Sequence, residues 1–274
     1  MPYFRKSVAS PGGISPGSAK PKNANVTLLF VDDILSWPVR NDSGILYEGN
    51  FVMKAGASML QVYMTPKKQK PGYVGEGEVD EMSIQQKFEG SHPGNSLEIK
   101  EFIQNTIGKD VIIMSGDCQG KSFEVFGTPC SPLRMKPTGV LDDTRTGHDM
   151  VFDQSLPTGL LPGTYNGSVM FADPVAIADE NIDVTVANGS QLKLASSDVG
   201  VALDIASIDQ EQGTVISLIG SGGADPAVLT NGAKTAATVV LIDGTDWAAL
   251  DNAVLDLKVY KSGAVTYLLE QNRA

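Results

Sequence analysis

Apolar residues along this 274-residue chain recur mainly with a period of two, in short runs broken by Gly, Pro, Asn and Asp. That pattern predicts strands and turns. One stretch departs from it. Leu97, Ile99, Phe102, Ile103 and Ile107 are spaced mainly at three and four, which predicts a single helix over Ser96–Ile107 with one buried stripe. Within Asn95-Ser96-Leu97-Glu98 an N-cap residue stands three positions before an acid, the spacing for reciprocal capping. Gly108 then supplies a left-handed stop. Ahead of the helix, Met82, Ile84, Gln86 and Phe88 share one face of a half-buried strand, with Ser83, Gln85 and Lys87 on the other. After it, Val111–Met114 and Phe123–Phe126 flank a turn over Ser115–Gly120. Leu97, Phe102 and Ile103 are expected to point inward, Lys100 and Gln104 outward.

Taken in order, residues 1–25 are too rich in Pro and Gly for a regular element and predict an arm that is either disordered or ordered on a neighbouring subunit. Val26–Val31 is continuously apolar, as expected of a strand buried on both faces. Tyr47–Lys54 and Met59–Met64 predict two more strands. Pro66–Asp80 is a long polar excursion, basic at Lys67, Lys68 and Lys70, with Tyr73 in its middle and Glu76, Glu78 and Asp80 after it. A loop of that length with no core of its own is usually disordered or a contact element. Its split charge suits pairing with a second copy, and also suits a solvated hairpin. Cys130–Lys136 leads through a turn at Pro137-Thr-Gly139 into Val140–Asp153.

Leu156–Gly163 holds two prolines and two glycines and predicts a linker. The domains expected are therefore an arm (1–25), a β domain (26–155), the linker (156–163) and a second β domain (164–274). In the last, Ile182–Ala187 and Gln191–Ala195 predict a hairpin through Asn188-Gly189. Val199–Ile208, Thr214–Ile219, Ala237–Ile242, Val254–Tyr260 and Ala264–Leu269 follow, with a helical turn near Asp246–Asp251. About seven short strands in some hundred residues fit an Ig-like β-sandwich. The fold class expected is mainly β: a β-barrel or sandwich with one flanking helix, then this second sandwich.

Composition narrows the function classes. Apolar residues make up 42% of the chain and charged ones 19%, enough for a real core. The net charge of −11 is uneven: residues 1–160 carry 16 Lys plus Arg against 18 Asp plus Glu, and residues 161–274 carry 5 against 14. The back part is a poor match for a phosphate backbone, which needs clustered cations. Cys118 and Cys130 are too far apart for a CxxC pair, and a disulfide between them is not expected in a reducing compartment. No apolar run approaches a membrane span, so a soluble protein made in a cytoplasm is expected.

Candidate chemistry is sparse. His92 lies in Gly90-Ser-His-Pro-Gly94, expected as a loop, with no Gly-x-Ser-x-Gly elbow nearby. His148 lies among Asp142, Asp143 and Asp149, a conceivable metal set whose spacing matches neither an EF-hand nor a zinc motif. Ile219-Gly-Ser-Gly-Gly-Ala224 lacks the third glycine of a dinucleotide turn. No catalytic, cofactor or metal residue is therefore assigned, and no enzyme is expected.

The order of elements carries a resemblance. A strand pair, the charged excursion Pro66–Asp80, a strand over Glu81–Glu89, the turn Pro93-Gly94, the helix, and a meander closing near Asp153 resemble the major tail tube proteins of long-tailed bacteriophages. Val111–Gly127 is the most telling local similarity. The likeness covers residues 1 to about 155, and the acidic sandwich behind it is similar to the decoration domains some of these proteins carry. The resemblance implies a virion structural protein assembled in the host cytoplasm. Six copies would close a ring by joining their sheets, and rings would stack into a tube around a tape-measure protein, ended by a tail terminator, through which the genome passes. By the same likeness Lys67, Lys68, Lys70, Tyr73, Glu76, Glu78 and Asp80 form a ring-stacking loop, and Leu97, Lys100, Phe102 and Ile103 fill a subunit junction. Two other classes stay open. One is a carbohydrate-binding or adhesion protein using Trp37, Trp247 and tyrosines to stack on sugars; the other is a capsid decoration or head-tail joining protein. A hydrolase acting through His92 is a remote further option.

Overall fold

The structure is a computed structural model that describes residues 7–13, 15–118 and 122–274. It is mainly β, with 48% of residues in strands, 7% helical and one α-helix among the described residues. Several sheets form, and among the described residues none closes into a barrel. The described residues divide into two compact units, one within 1–32, 40–46 and 60–166 and one of 33–39, 47–59 and 167–274. Two segments of the expected front domain, 33–39 and 47–59, thus belong to the second unit. The expected linker continues in the first.

In the first unit the strands are β1 (Asn25–Phe30), β2 (Leu60–Tyr63), β3 (Lys70–Glu76), β4 (Ser83–Pro93), β5 (Asp110–Gly116), β6 (Phe123–Phe126), β7 (Leu133–Leu141), β8 (Thr146–Gln154) and β9 (Gly163–Tyr165). They run side by side in the order β9-β6-β5-β7-β8-β4-β3, and β1 and β2 branch from the free side of β5. β1 has Val26, Leu28 and Leu29 buried on both of its faces, with Thr27 buried among them. One core takes Val26, Leu28, Val111, Ile113, Phe126, Met150 and Phe152 from the strands and Ile99 from the helix, with Phe102 and Ile103 packed at its rim.

The helix α1 spans Leu97–Thr106, and its N-cap is Ser96 rather than Asn95. Asn95 is drawn away because its Oδ1 lies 3.2 Å from Nε2 of His148. Glu98 still interacts with the Ser96 hydroxyl, which holds its carboxyl below the usual range. Gly108, at φ 77°, ends the helix as its sequence position requires. The inward stripe is Ile99, Phe102, Ile103 and Thr106, whereas Leu97 is 68% exposed. The shift follows from helix direction: Leu97 is the first helical residue, with no preceding turn to pack over.

Two local expectations change. Pro137-Thr-Gly139 lies inside β7, not in a turn: β7 bonds to β5 only at Leu133 and Arg134, so Pro137 faces an open edge where no N–H is needed. The turn comes later, where Asp142 Oδ1 accepts from the backbone N–H of Thr144 and Arg145 at 2.9 Å each. Tyr47–Lys54 is not one strand either, because Leu46–Glu48 and Val52–Met53 are separated at Gly49.

The second unit has a main sheet and smaller two-stranded sheets, most of them packed over one large core. Its main sheet orders β10 (Val175–Ile177), β12 (Gln191–Leu194), β14 (Val215–Ile219), β18 (Val254–Ser262), β19 (Val265–Arg273) and β16 (Thr238–Val240). Facing strands include β11 (Asn181–Val184) paired with β13 (Asp204–Ile208), and β15 (Val228–Leu229) paired with β17 (Trp247–Ala248). From β10 to β14 successive strands alternate between sheets, so neighbours within a sheet run parallel. Asn188-Gly189 therefore does not close a hairpin. Its turn is present, with Asn188 N–H on Thr185 O at 3.2 Å, but it carries the chain across the core. Ile182 and Val184 on one side and Leu192 and Leu194 on the other bury against each other instead of pairing. The expected helical turn at Asp246–Asp251 is β17, and a 3₁₀ turn stands earlier, at Ile242–Gly244. Of Val199–Ile208 only β13 is strand.

Candidate functional site

The charged excursion is not a loop. Pro66–Lys68 forms a 3₁₀ turn, and the chain then enters β3, which pairs with β4 from Lys70 opposite Glu89 to Glu76 opposite Ser83. The start of β3 is pinned from below. Buried Gln69 donates through Nε2 to Asn23 O at 2.7 Å and to Met64 O at 3.0 Å, which satisfies the donor half of its amide. Lys70 reaches Glu89 at 3.1 Å and Lys87 reaches it at 2.7 Å. These two ammonium groups, Lys87 first, hold the Glu89 carboxyl below the usual range.

β3 is the last strand of its sheet, so its outer row of backbone N–H and C=O groups has no strand partner among the described residues. Seven paired residues extend it by about 23 Å. Beyond them the turn carries Glu78, Asp80 and Glu81, with Asp80 in the left-handed region at φ 72°. Apolar side chains cluster on this projection in the open: Tyr73 at 54%, Val74 at 58%, Val79 at 88% and Met82 at 65% exposure. Of the residues expected in a stacking loop, Lys67 and Lys68 sit on the 3₁₀ turn, Lys70, Tyr73 and Glu76 on β3, and Glu78 and Asp80 at the tip, all exposed.

β4 is fixed on its other side by amides that alternation alone placed on the inner face. Gln86 Nε2 donates to Leu160 O at 2.8 Å, its Oε1 accepts from Gly127 N–H at 2.8 Å, and its own N–H donates to Gln154 Oε1 at 2.9 Å. Thr158 and Ile84 exchange backbone hydrogen bonds at 2.6 and 2.8 Å, so the expected linker lies along β4.

At the foot of the hairpin an open groove of about 1020 Å³ lies between residues 16–22 of the arm and 66–71. Lys20, Lys22, Lys67 and Lys70 line it, with Asp117 and Glu124. Lys22 pairs with Asp117 at 3.2 Å and Lys20 approaches it at 3.9 Å. Cys118 N–H donates to Pro21 O at 2.9 Å, so this part of the arm is held along the end of β5. The expected arm's first six residues, and residue 14, lie outside the described residues.

The other candidates separate. His92 lies in β4, not in a loop, directly opposite His148 on β8. Its Nδ1 is 2.8 Å from Tyr63 O. Asp142 caps a turn, and Asp149 accepts from Arg145 Nη2 at 2.5 Å. No group of three or more His, Cys, Asp or Glu among the described residues is placed to hold a metal. Cys118 and Cys130 are both free and exposed. Trp247 is 4% exposed within the second unit's core and offers no face to a sugar; Trp37 packs edge-on to Phe51 at 5.3 Å. No helix among the described residues is long and apolar enough to cross a membrane.

The sequence offers a solvated hairpin as one of two readings of these charges but does not place its first strand, because Gly72 and Gly75 interrupt the alternation that marks one. The groove gave no sequence signal, being formed by segments some 45 residues apart. No family model, curated protein or solved structure matches this chain.

Proposed function

We propose that the chain is a virion structural protein whose copies form rings that stack into a phage tail tube, six to a ring as the sequence resemblance implies. The observation that carries this reading is β3: an edge strand with its hydrogen-bonding row open, extended into a projecting hairpin with four exposed apolar side chains. Such an edge promotes association unless a partner strand covers it, and a closed ring removes every edge at once. The helix supports the same reading. It packs Ile99, Phe102 and Ile103 onto one face of the sheet and leaves Lys100 and Leu97 outward, available to a neighbouring subunit. Tape-measure and terminator proteins are the partners this reading requires, with passing DNA as a transient one. The near-balanced charge of residues 1–160 suits a lumen that does not grip phosphates.

Electron microscopy of the purified chain, alone and with a tape-measure protein, tests the reading. Rings or tubes of uniform diameter are expected. A monodisperse monomer at every concentration would overturn it.

A further inference from the structure

The hairpin and the groove at its own foot are opposite in charge. From Pro71 to Gln86 the chain carries Glu76, Glu78, Asp80 and Glu81 and no Lys or Arg. The groove is lined by four lysines against two carboxylates. Asp117 is shared between Lys20 and Lys22, and Lys70 reaches Glu89, which leaves Lys67 as the lysine of the lining that no carboxylate meets among the described residues. Lys20 and Lys67 stand open at its rim. The tip cannot reach this groove within one chain, because β3 holds the two apart along its length of about 23 Å.

We infer that the groove between residues 16–22 and 66–71 is the receptor for the hairpin tip of a second copy. The inference rests on the stacking reading above and names the surface that receives the hairpin. Charge complementarity selects the occupant and aligns it. Val79 and Met82 at the tip supply apolar area that the prolines of the rim, Pro16, Pro21, Pro66 and Pro71, are placed to cover. A tip-to-foot contact joins two different patches of one molecule, so it is heterologous and leaves a free tip and a free groove at the ends. Repeated, it propagates along the hairpin direction, which is what stacking demands. Asp117 and Glu124 in the lining disfavour the other polyanion that four lysines suggest, a nucleic-acid backbone.

Two full-length variants test this. Glu76→Lys, Glu78→Lys and Glu81→Lys together reverse the tip; Lys20→Glu with Lys67→Glu reverses the groove. All five positions are exposed, and circular dichroism checks that each variant folds. Sedimentation velocity and electron microscopy at low and high salt then read the assembly state. Each variant alone is expected to lose tip-to-groove association, and an equimolar mixture to regain it, since a basic tip then meets an acidic groove. Wild-type association should weaken as salt rises. Stacking by both variants as in wild type would overturn the groove assignment and leave the ring reading standing. Irregular wild-type oligomers that both variants lose and the mixture restores would support the groove and sink the ring reading. No association by wild type or by the mixture would overturn both. Loss of duplex DNA binding by the groove variant with self-association unchanged would overturn the inference in favour of a nucleic-acid contact.

Discussion

A carboxyl group closed into a protein interior is pushed toward its neutral form, and Asp256 on β18 is held in that way. It is fully buried, and the groups that face it are neutral: Ser217, Asn50 and Asn272. The Ser217 hydroxyl accepts from Asn50 Nδ2 at 2.9 Å and donates to Asp256 Oδ1. Gly49, at φ 109°, gives the carboxyl its space, since a Cβ there would stand 2.4 Å from Oδ2. Burial raises the pKa from 3.8 to about 6. The sign follows from which form the fold prefers. Below pH 3.8 the group is neutral in both folded and unfolded chains; as pH rises to about 6 the unfolded chain ionises first, and stability is lost over that window. The loss amounts to on the order of 3 kcal/mol. Asp256→Asn is therefore expected to raise the melting temperature of the second unit at pH 7.5 and to lose that advantage near pH 4. Calorimetry of both proteins across this range checks it, and an equal difference at both pH values would remove the account.

At the scale of elements, α1 contributes through one stripe, and the two ends of its apolar run have different fates. Ile99 is 4% exposed in the core, and Leu97, two residues earlier, is open to solvent. Ile99→Asp places an unpaired charge among Val111, Phe126 and Phe152 and should destabilise the first unit by at least about 3 kcal/mol. Leu97→Asp puts an acid at the first helical position, where the helix dipole favours it, and should change stability by less than about 0.5 kcal/mol. Urea titrations separate the two, and equal losses would show the stripe misassigned. The helix itself, its stop at Gly108 and the inner face Gln86–Phe88 were legible in the sequence because their signals are local: period, cap and alternation. The cap moved to Ser96 because Asn95 found His148, 53 residues away, and no local rule contains that partner. The same limit hid β3. Its glycines read as loop, and only pairing with β4 over seven positions makes it a strand.

For the whole molecule, a linker rich in Pro and Gly suggests that cutting there yields two domains, but the second unit is not continuous in sequence. It draws on 33–39 and 47–59 as well as 167–274, and the early segments supply interior groups. Phe51 and Val52 are fully buried, and Val52 packs with Ile219 and Val254. Gln191 Nε2 donates to Phe51 O at 3.0 Å, Asn50 Nδ2 to Val215 O at 3.0 Å, and Met59 N–H to Met170 O at 3.0 Å. Composition could not announce this, because segments of a dozen residues with ordinary hydrophobicity carry no mark of which core they join. Expressed alone, residues 164–274 would leave Ser217, Gln191 and Asp256 without those partners and Ile219 and Val254 uncovered. Each buried polar group so stranded costs about 1–3 kcal/mol, comparable together to the whole stability of a domain. That fragment is expected to lack a cooperative thermal transition. Adding residues 33–59 through a flexible linker should restore one. A fragment of 164–274 melting as sharply, and at the same temperature, as the corresponding transition of the full chain would show that the early segments only decorate a self-sufficient sandwich.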